Sequence, residues 1–222
     1  MKICQLCAVD FTLKRLIIPL VDAQLNQGHF VKSVCSFGGH LDDLKRKGYM
    51  IEVIPIERNL SPVKGLVSIW RLFLFFRRES FDVVHVHTPV AAFLARIAAF
   101  FARVPLVVYT AHGFYFHDEM PALKRLIFIS AEIAMRPLTD LLFTQSQEDA
   151  ENAASLKIMN KNRIFYIGNG VDTKRFNPAV KYNIEDLNLP KDKVVISMVS
   201  RLVQEKGRVE FLDAAKRLAF VY

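Results

Sequence analysis

Residues 107–117, VVYTAHGFYFH, put an imidazole, His112, at the end of a β-branched run and directly before Gly113. The small Ala111 and Gly113 allow a sharp turn, so the ring can be presented at a strand's carboxyl end, where open α/β sheets bind ligands. An imidazole there exchanges a hydrogen bond with a hydroxylated ligand. The other reading is a histidine satisfied inside the fold; the glycine after it and the aromatic residues Phe114, Tyr115 and Phe116 behind it favour the cleft. Residues 199–207, VSRLVQEKG, offer different chemistry. Arg201 and Lys206 lie beside another expected strand end, and Gly207 opens a helix whose N-terminus adds positive potential, as a phosphate site requires.

Two further segments bear on chemistry. In residues 82–89, DVVHVHTP, the two-residue spacing puts His85 and His87 on one face of a strand. No third ligand follows at a zinc spacing, so the rings are either hydrogen-bonded within the sheet or, for His87 beside Thr88–Pro89, set at the cleft. In residues 168–172, GNGVD, the residues Asn169, Gly170 and Asp172 form a turn, a hinge lining a cleft between domains, or both. Other chemistries lack their signatures. Residues 9–14, VDFTLK, hold no glycine where a dinucleotide-binding turn needs GxGxxG, and no P-loop occurs elsewhere. The three cysteines, Cys4, Cys7 and Cys35, sit in apolar strand-like sequence without a second ligand pair, which predicts buried reduced thiols and a cytoplasmic setting.

The elements that must hold these residues alternate. Strands are predicted at 2–9, 30–37, 50–55, 83–87, 106–110, 141–145, 163–167 and 194–200, and helices at 13–27, 41–47, 62–79, 90–103, 122–136, 147–156 and 209–218. Such alternation predicts an α/β fold, a Rossmann-like parallel sheet with helices on both faces. Gly28 closes the first helix, Pro62 opens another, and Glu148 and Asp149 mark a third start. The polar stretch 172–192, with Pro178 and Pro190, reads as a linker. The expected organisation is a domain at 1–172, a linker at 173–192, and one strand and helix at 193–222.

With 52% apolar and 23% charged residues among 222, the chain has room for a sizeable core. Its net charge of +8 points to an anionic partner. Nucleic acid is disfavoured because the basic residues are scattered and no binding motif accompanies them. The start MKICQLC lacks a signal-peptide apolar region, and the longest apolar run, 66–76, is interrupted by Arg71. The segment 62–78, PVKGLVSIWRLFLFFRR, packs on a sheet or, with Trp70 and several Phe beside Lys64, Arg77 and Arg78, rests on an anionic membrane surface.

The segments FDVVHVHTP, VVYTAHGFYFH, YIGNGVDTKRFNP and VSRLVQEKG, in this order, resemble glycosyltransferase family 4, the retaining enzymes with two facing Rossmann-like domains (GT-B). The TAHGF form is most similar to bacterial enzymes of capsule, exopolysaccharide and lipid-linked oligosaccharide assembly. The resemblance implies that residues 1–172 are an acceptor-binding domain and 193–222 the start of a truncated donor domain. It makes His112 the histidine that contacts the donor sugar and assigns Asn169, Gly170 and Asp172 to the interdomain segment; His87 and Gly113, from their places at the strand ends, are expected beside it in the cleft. Arg201 and Lys206 become the catalytic cations that neutralise the departing diphosphate, so neither metal nor other cofactor is expected. Retention is explained by same-face attack, with the leaving phosphate taking the acceptor's proton.

Two departures accompany the resemblance. Residues 10–14 replace a glycine-rich turn, and the family's paired glutamates are expected beyond Tyr222, since Glu205 and Glu210 lack their context. The implied function is the N-terminal portion of a transferase moving a sugar from a nucleotide sugar to a saccharide or lipid-linked acceptor in surface polysaccharide synthesis. It would act in the cytoplasm, at the inner face of the membrane, and be inactive as this stretch alone. One alternative is a non-catalytic, acceptor- and membrane-binding subunit of a split enzyme whose second chain supplies the donor domain. The other is a binding module without chemistry.

Overall fold

The structure, a computed structural model, describes residues 1–56, 62–117, 119–179, 189, 194–200, 202–203 and 206–218. It divides into two compact units, Met1–Gly170 and Val171–Tyr222. In the first unit seven strands run parallel: β1 (Lys2–Leu6), β2 (Phe30–Cys35), β3 (Ile51–Val53), β4 (Val83–His87), β5 (Leu106–Ala111), β6 (Leu141–Thr144) and β7 (Ile164–Tyr166). Their order is β3-β2-β1-β4-β5-β6-β7. The chain leaves β1 toward one edge and returns at β4 toward the other, so the carboxyl ends of β1 and β4 flank the switch point of the sheet.

Side-chain alternation divides the core between the two faces. From β1, Cys4 and Leu6 enter a cluster with residues of α4 (Pro62–Glu79), α5 (Pro89–Ala102), α6 (Ala122–Met135) and α7 (Gln147–Ser155). Ile3 points the other way, and Cys7 follows it, into a cluster with Leu13 and Ile17, which follow α1 (Asp10–Thr12), and with residues of α2 (Ile18–Asn26) and α3 (Leu41–Arg46). That is the period-two pattern of a strand covered on both faces. In α5 the buried residues Ala91, Ala92, Ala95, Ala98, Ala99 and Ala102 keep the helix close to the sheet. Ser146 caps α7 by accepting a hydrogen bond from Asp149 N at 3.0 Å, with Glu148 and Asp149 in the positive first turn.

Two elements differ from the sequence-based expectation. The helix expected from residue 13 starts at Asp10 and passes through a π-helical segment, Leu13–Ile17, before α2. Pro19 has no N–H for the carbonyl one turn earlier, and the widened turn precedes it. Residues 194–200, expected as a strand, are not part of any sheet; Val194 and Val199 stand exposed. A strand exists by pairing, and the described residues of the second unit contain no other strand for it to join. That unit does contain the expected helix, α8 (Arg208–Leu218).

Candidate functional site

The registers bring four polar side chains onto one face of the sheet, in an otherwise apolar interior. Gln5 in β1 lies opposite His85 in β4, and His87 lies opposite Thr110 in β5. All four are at most 6% exposed, and Gln5 is completely buried. Such groups need partners, and each finds one. His85 Nε2 lies 2.7 Å from Thr110 Oγ1, and His85 Nδ1 lies 3.3 Å from Gln5 Nε2. Gln5 Oε1 lies 2.9 Å from His87 Nε2, and His87 Nδ1 lies 3.1 Å from His112 Nε2. The row therefore ends at His112, the first residue past β5 and only partly buried.

Burial pushes the His85 imidazole down to about 3, helped by the charge His112 would carry. It holds His87 well below the ordinary range, reinforced by His85 and His112. His112 is also lowered by burial, with Gln145 opposing. The three rings are thus neutral at physiological pH. His112 Nδ1 is shielded from solvent and makes no hydrogen bond.

Neighbouring turns shape the same end of the sheet. Gly113 has φ of +100°, a conformation that side chains rarely adopt, so glycine here permits the turn that ends β5 at His112. Thr88 has φ of 67° although β-branched, and its Oγ1 accepts a hydrogen bond from Ala8 N at 3.3 Å, tying the end of β4 to the end of β1. Strain of this kind persists where the surroundings hold it, often beside a site. Asp10 occupies the first βα turn, accepting from Phe11 N at 2.8 Å and from His40 N at 2.7 Å. A Cβ at Gly38 would overlap its carboxylate, so the turn after β2 closes over Asp10 because residue 38 is glycine.

The structure joins His87 to His112 but changes the expected part of His87. At 3% exposure, with both ring nitrogens bonded, it meets a ligand only through His112. Asn169 and Gly170 are exposed in the segment after β7. Asp172, in the second unit, caps its own turn by accepting from Lys174 N and Arg175 N at 3.0 and 3.1 Å. Lys206 is exposed ahead of α8, and Arg201 lies outside the described residues. Sequence reasoning missed Gln5, Thr88 and Asp10. The cysteines are all buried and unpaired, and burial pushes the Cys35 thiol up to about 12. Among the described residues no three His, Cys, Asp or Glu side chains are grouped to hold a metal ion.

With this geometry in view, the family model for Glycosyltransferase Family 4 matches residues 14–175, more than half of the chain. The chain belongs to glycosyltransferase family 4. Among its family relatives is the UDP-Gal:alpha-D-GlcNAc-diphosphoundecaprenol alpha-1,3-galactosyltransferase of Escherichia coli, 32% identical over 86% of this chain and 50% of its own length. A second is the capsular polysaccharide biosynthesis glycosyltransferase CapM of Staphylococcus aureus, 27% identical over 74% of this chain and 44% of its own. This family-4 chain thus spans about half the length of the curated relatives it matches. Its fold is similar to a glycosyltransferase from Rickettsia africae, with a TM-score of 0.74 at 18% identity over 98% of this chain and 57% of that one. It is also similar to HepE of Anabaena in complex with UDP and glucose, with a TM-score of 0.61 at 17% identity over 81% and 47%.

Proposed function

We propose that this chain carries the acceptor-side domain of a retaining glycosyltransferase that moves a sugar from a nucleotide sugar to a saccharide or lipid-linked acceptor in surface polysaccharide synthesis. The observation that carries the reading is His112 at the carboxyl end of β5, one strand from the switch point, oriented by buried side chains from β1 and β4. Ligands of open α/β sheets bind at that end. Family membership and the glycosyltransferases of Escherichia coli and Staphylococcus aureus among its relatives support the reaction class.

In this reading residues 1–172 bind acceptor, 173–192 link, and 193–222 begin a donor-binding half. His112 orients a sugar hydroxyl as an uncharged hydrogen-bonding group. Arg201 and Lys206 stabilise the negative charge that develops on the departing diphosphate, the task a metal ion performs in other transferases. The leaving phosphate takes the acceptor's proton, so no side-chain nucleophile is required. Gly113, Asn169, Gly170 and Asp172 shape the backbone around the donor.

The partner surface is an anionic membrane, at its cytoplasmic face. Supporting this, α4 exposes Val63, Leu66, Val67, Trp70 and Leu74 along one stripe beside Lys64, Arg71 and Arg77. Apolar stripes flanked by cations suit the lipid interface. No helix among the described residues is long and apolar enough to cross a membrane.

The test is to incubate this domain joined to its donor-binding half, since residues 1–222 alone are expected to be inactive, with a panel of nucleotide hexoses and a lipid-linked saccharide extract. Mass spectrometry then detects the product and NMR its anomeric configuration. One sugar added with retained configuration is the expected result; inversion, or no transfer from any donor, would overturn the proposal.

A further inference from the structure

Gln5 is completely buried, and its amide meets three partners. Its Nε2 lies 3.0 Å from Gln24 Oε1 and 3.3 Å from His85 Nδ1, while its Oε1 lies 2.9 Å from His87 Nε2. An amide nitrogen carries two hydrogens and an amide oxygen none. In this orientation both hydrogens have acceptors and the oxygen has a donor. Turning the amide over would set the oxygen against two partners and leave one buried N–H unpaired. The cost of an orphaned buried donor selects the first arrangement.

That choice propagates through the neighbouring rings. His87 donates from Nε2 to Gln5 and is kept neutral by burial, so its Nδ1 is bare. His112 Nε2, 3.1 Å away, must then carry the hydrogen between them. On the other branch His85, bare at Nδ1, donates from Nε2 to Thr110 Oγ1 at 2.7 Å. Every buried imidazole position is accounted for except one, His112 Nδ1, which is shielded from solvent and makes no hydrogen bond; the side chain that stands beside the ring there is Gln145.

We infer that Gln5, acting through His87, holds His112 as the Nε2–H tautomer, so that His112 Nδ1 is a hydrogen-bond acceptor and not a donor. Gln5 and His87 are positioning residues, and a bare Nδ1 is matched only by a hydrogen donor, such as a sugar hydroxyl. A phosphate or carbonyl oxygen finds no hydrogen at that atom. The inference rests on the reading of His112 as the ligand-facing residue of a sugar site.

Long-range proton–nitrogen NMR of the intact protein with isotope-labelled histidine tests it. The expected spectrum gives His112 a pyrrole-like Nε2 and a pyridine-like Nδ1 at neutral pH. A proton on Nδ1, or on both nitrogens, would overturn the inference. Gln5→Leu removes the acceptor for His87 and is expected to leave His112 populating both tautomers. An unchanged His112 in Gln5→Leu would overturn the relay; should that variant not fold, the unaltered protein decides, since the relay also requires His85 and His87 to carry their hydrogens at Nε2. In sugar transfer, Gln5→Leu should lower kcat about tenfold with little change in KM, since a misassigned tautomer weakens the reacting arrangement more than binding. The tautomer is read without turnover, so failure of the transferase reading and failure of the relay are separate results.

Discussion

Two buried histidines and a glutamine stand behind the one imidazole that reaches the carboxyl end of the sheet, and keeping them neutral links the site to stability. His85 has an ordinary value of 6.5 when unfolded and about 3 when folded. Between those values the unfolded chain binds a proton that the folded one refuses, so stability is full above pH 6.5 and declines as pH falls. Each pH unit in that window costs about 1.4 kcal/mol per histidine so held. Denaturant titrations from pH 6.5 to 4 should therefore show a slope that His85→Gln reduces by about one proton; an unchanged slope would mean that His85 is already protonated in the fold. His112 and Gly113 were legible in the sequence because a strand ending at a histidine and a glycine is a local pattern. Gln5 was not. It bonds to residues 80 and 82 positions away, and an isolated amide in an apolar strand carries no sign of which strand it will face.

The helices and strands followed their hydrophobic periods, and α4 kept the bounds expected of it, Pro62–Glu79. Its inner face, with Ser68, Leu72, Phe75 and Phe76, packs against the sheet, while its outer stripe leaves Trp70 60% and Leu66 67% exposed. The two faces should separate in experiment. Leu72→Ala is expected to cost about 3 kcal/mol of stability by leaving a cavity. Leu66→Ser with Trp70→Ser should change stability by no more than about 0.5 kcal/mol per site, yet weaken flotation with anionic vesicles. Undiminished flotation would remove α4 from the membrane reading. The elements that departed from expectation did so for two reasons, one local and one of pairing. The π-helical turn depends on Pro19 inside an otherwise regular pattern, and residues 194–200 have strand-like composition without a strand to pair with.

At the scale of the molecule, a net charge of +8 and a row of polar side chains leading to His112 at the carboxyl end of β5 suit an anionic, hydroxylated ligand. Part of the charge is spent internally: Lys2 and Lys32 pair with Glu79 at 3.0 and 2.9 Å, which hold that carboxylate down to about 2 and fasten α4 to β1 and β2. Fold class and family were both legible, because periodicity and a few ordered motifs extend over most of the first unit. The most direct test of the central claim compares sugar transfer by the intact protein and by His112→Ala at equal folded fraction. A loss of at least about a hundredfold in turnover, with acceptor binding retained, is the expected result. Transfer that continues unchanged without the imidazole would contradict it.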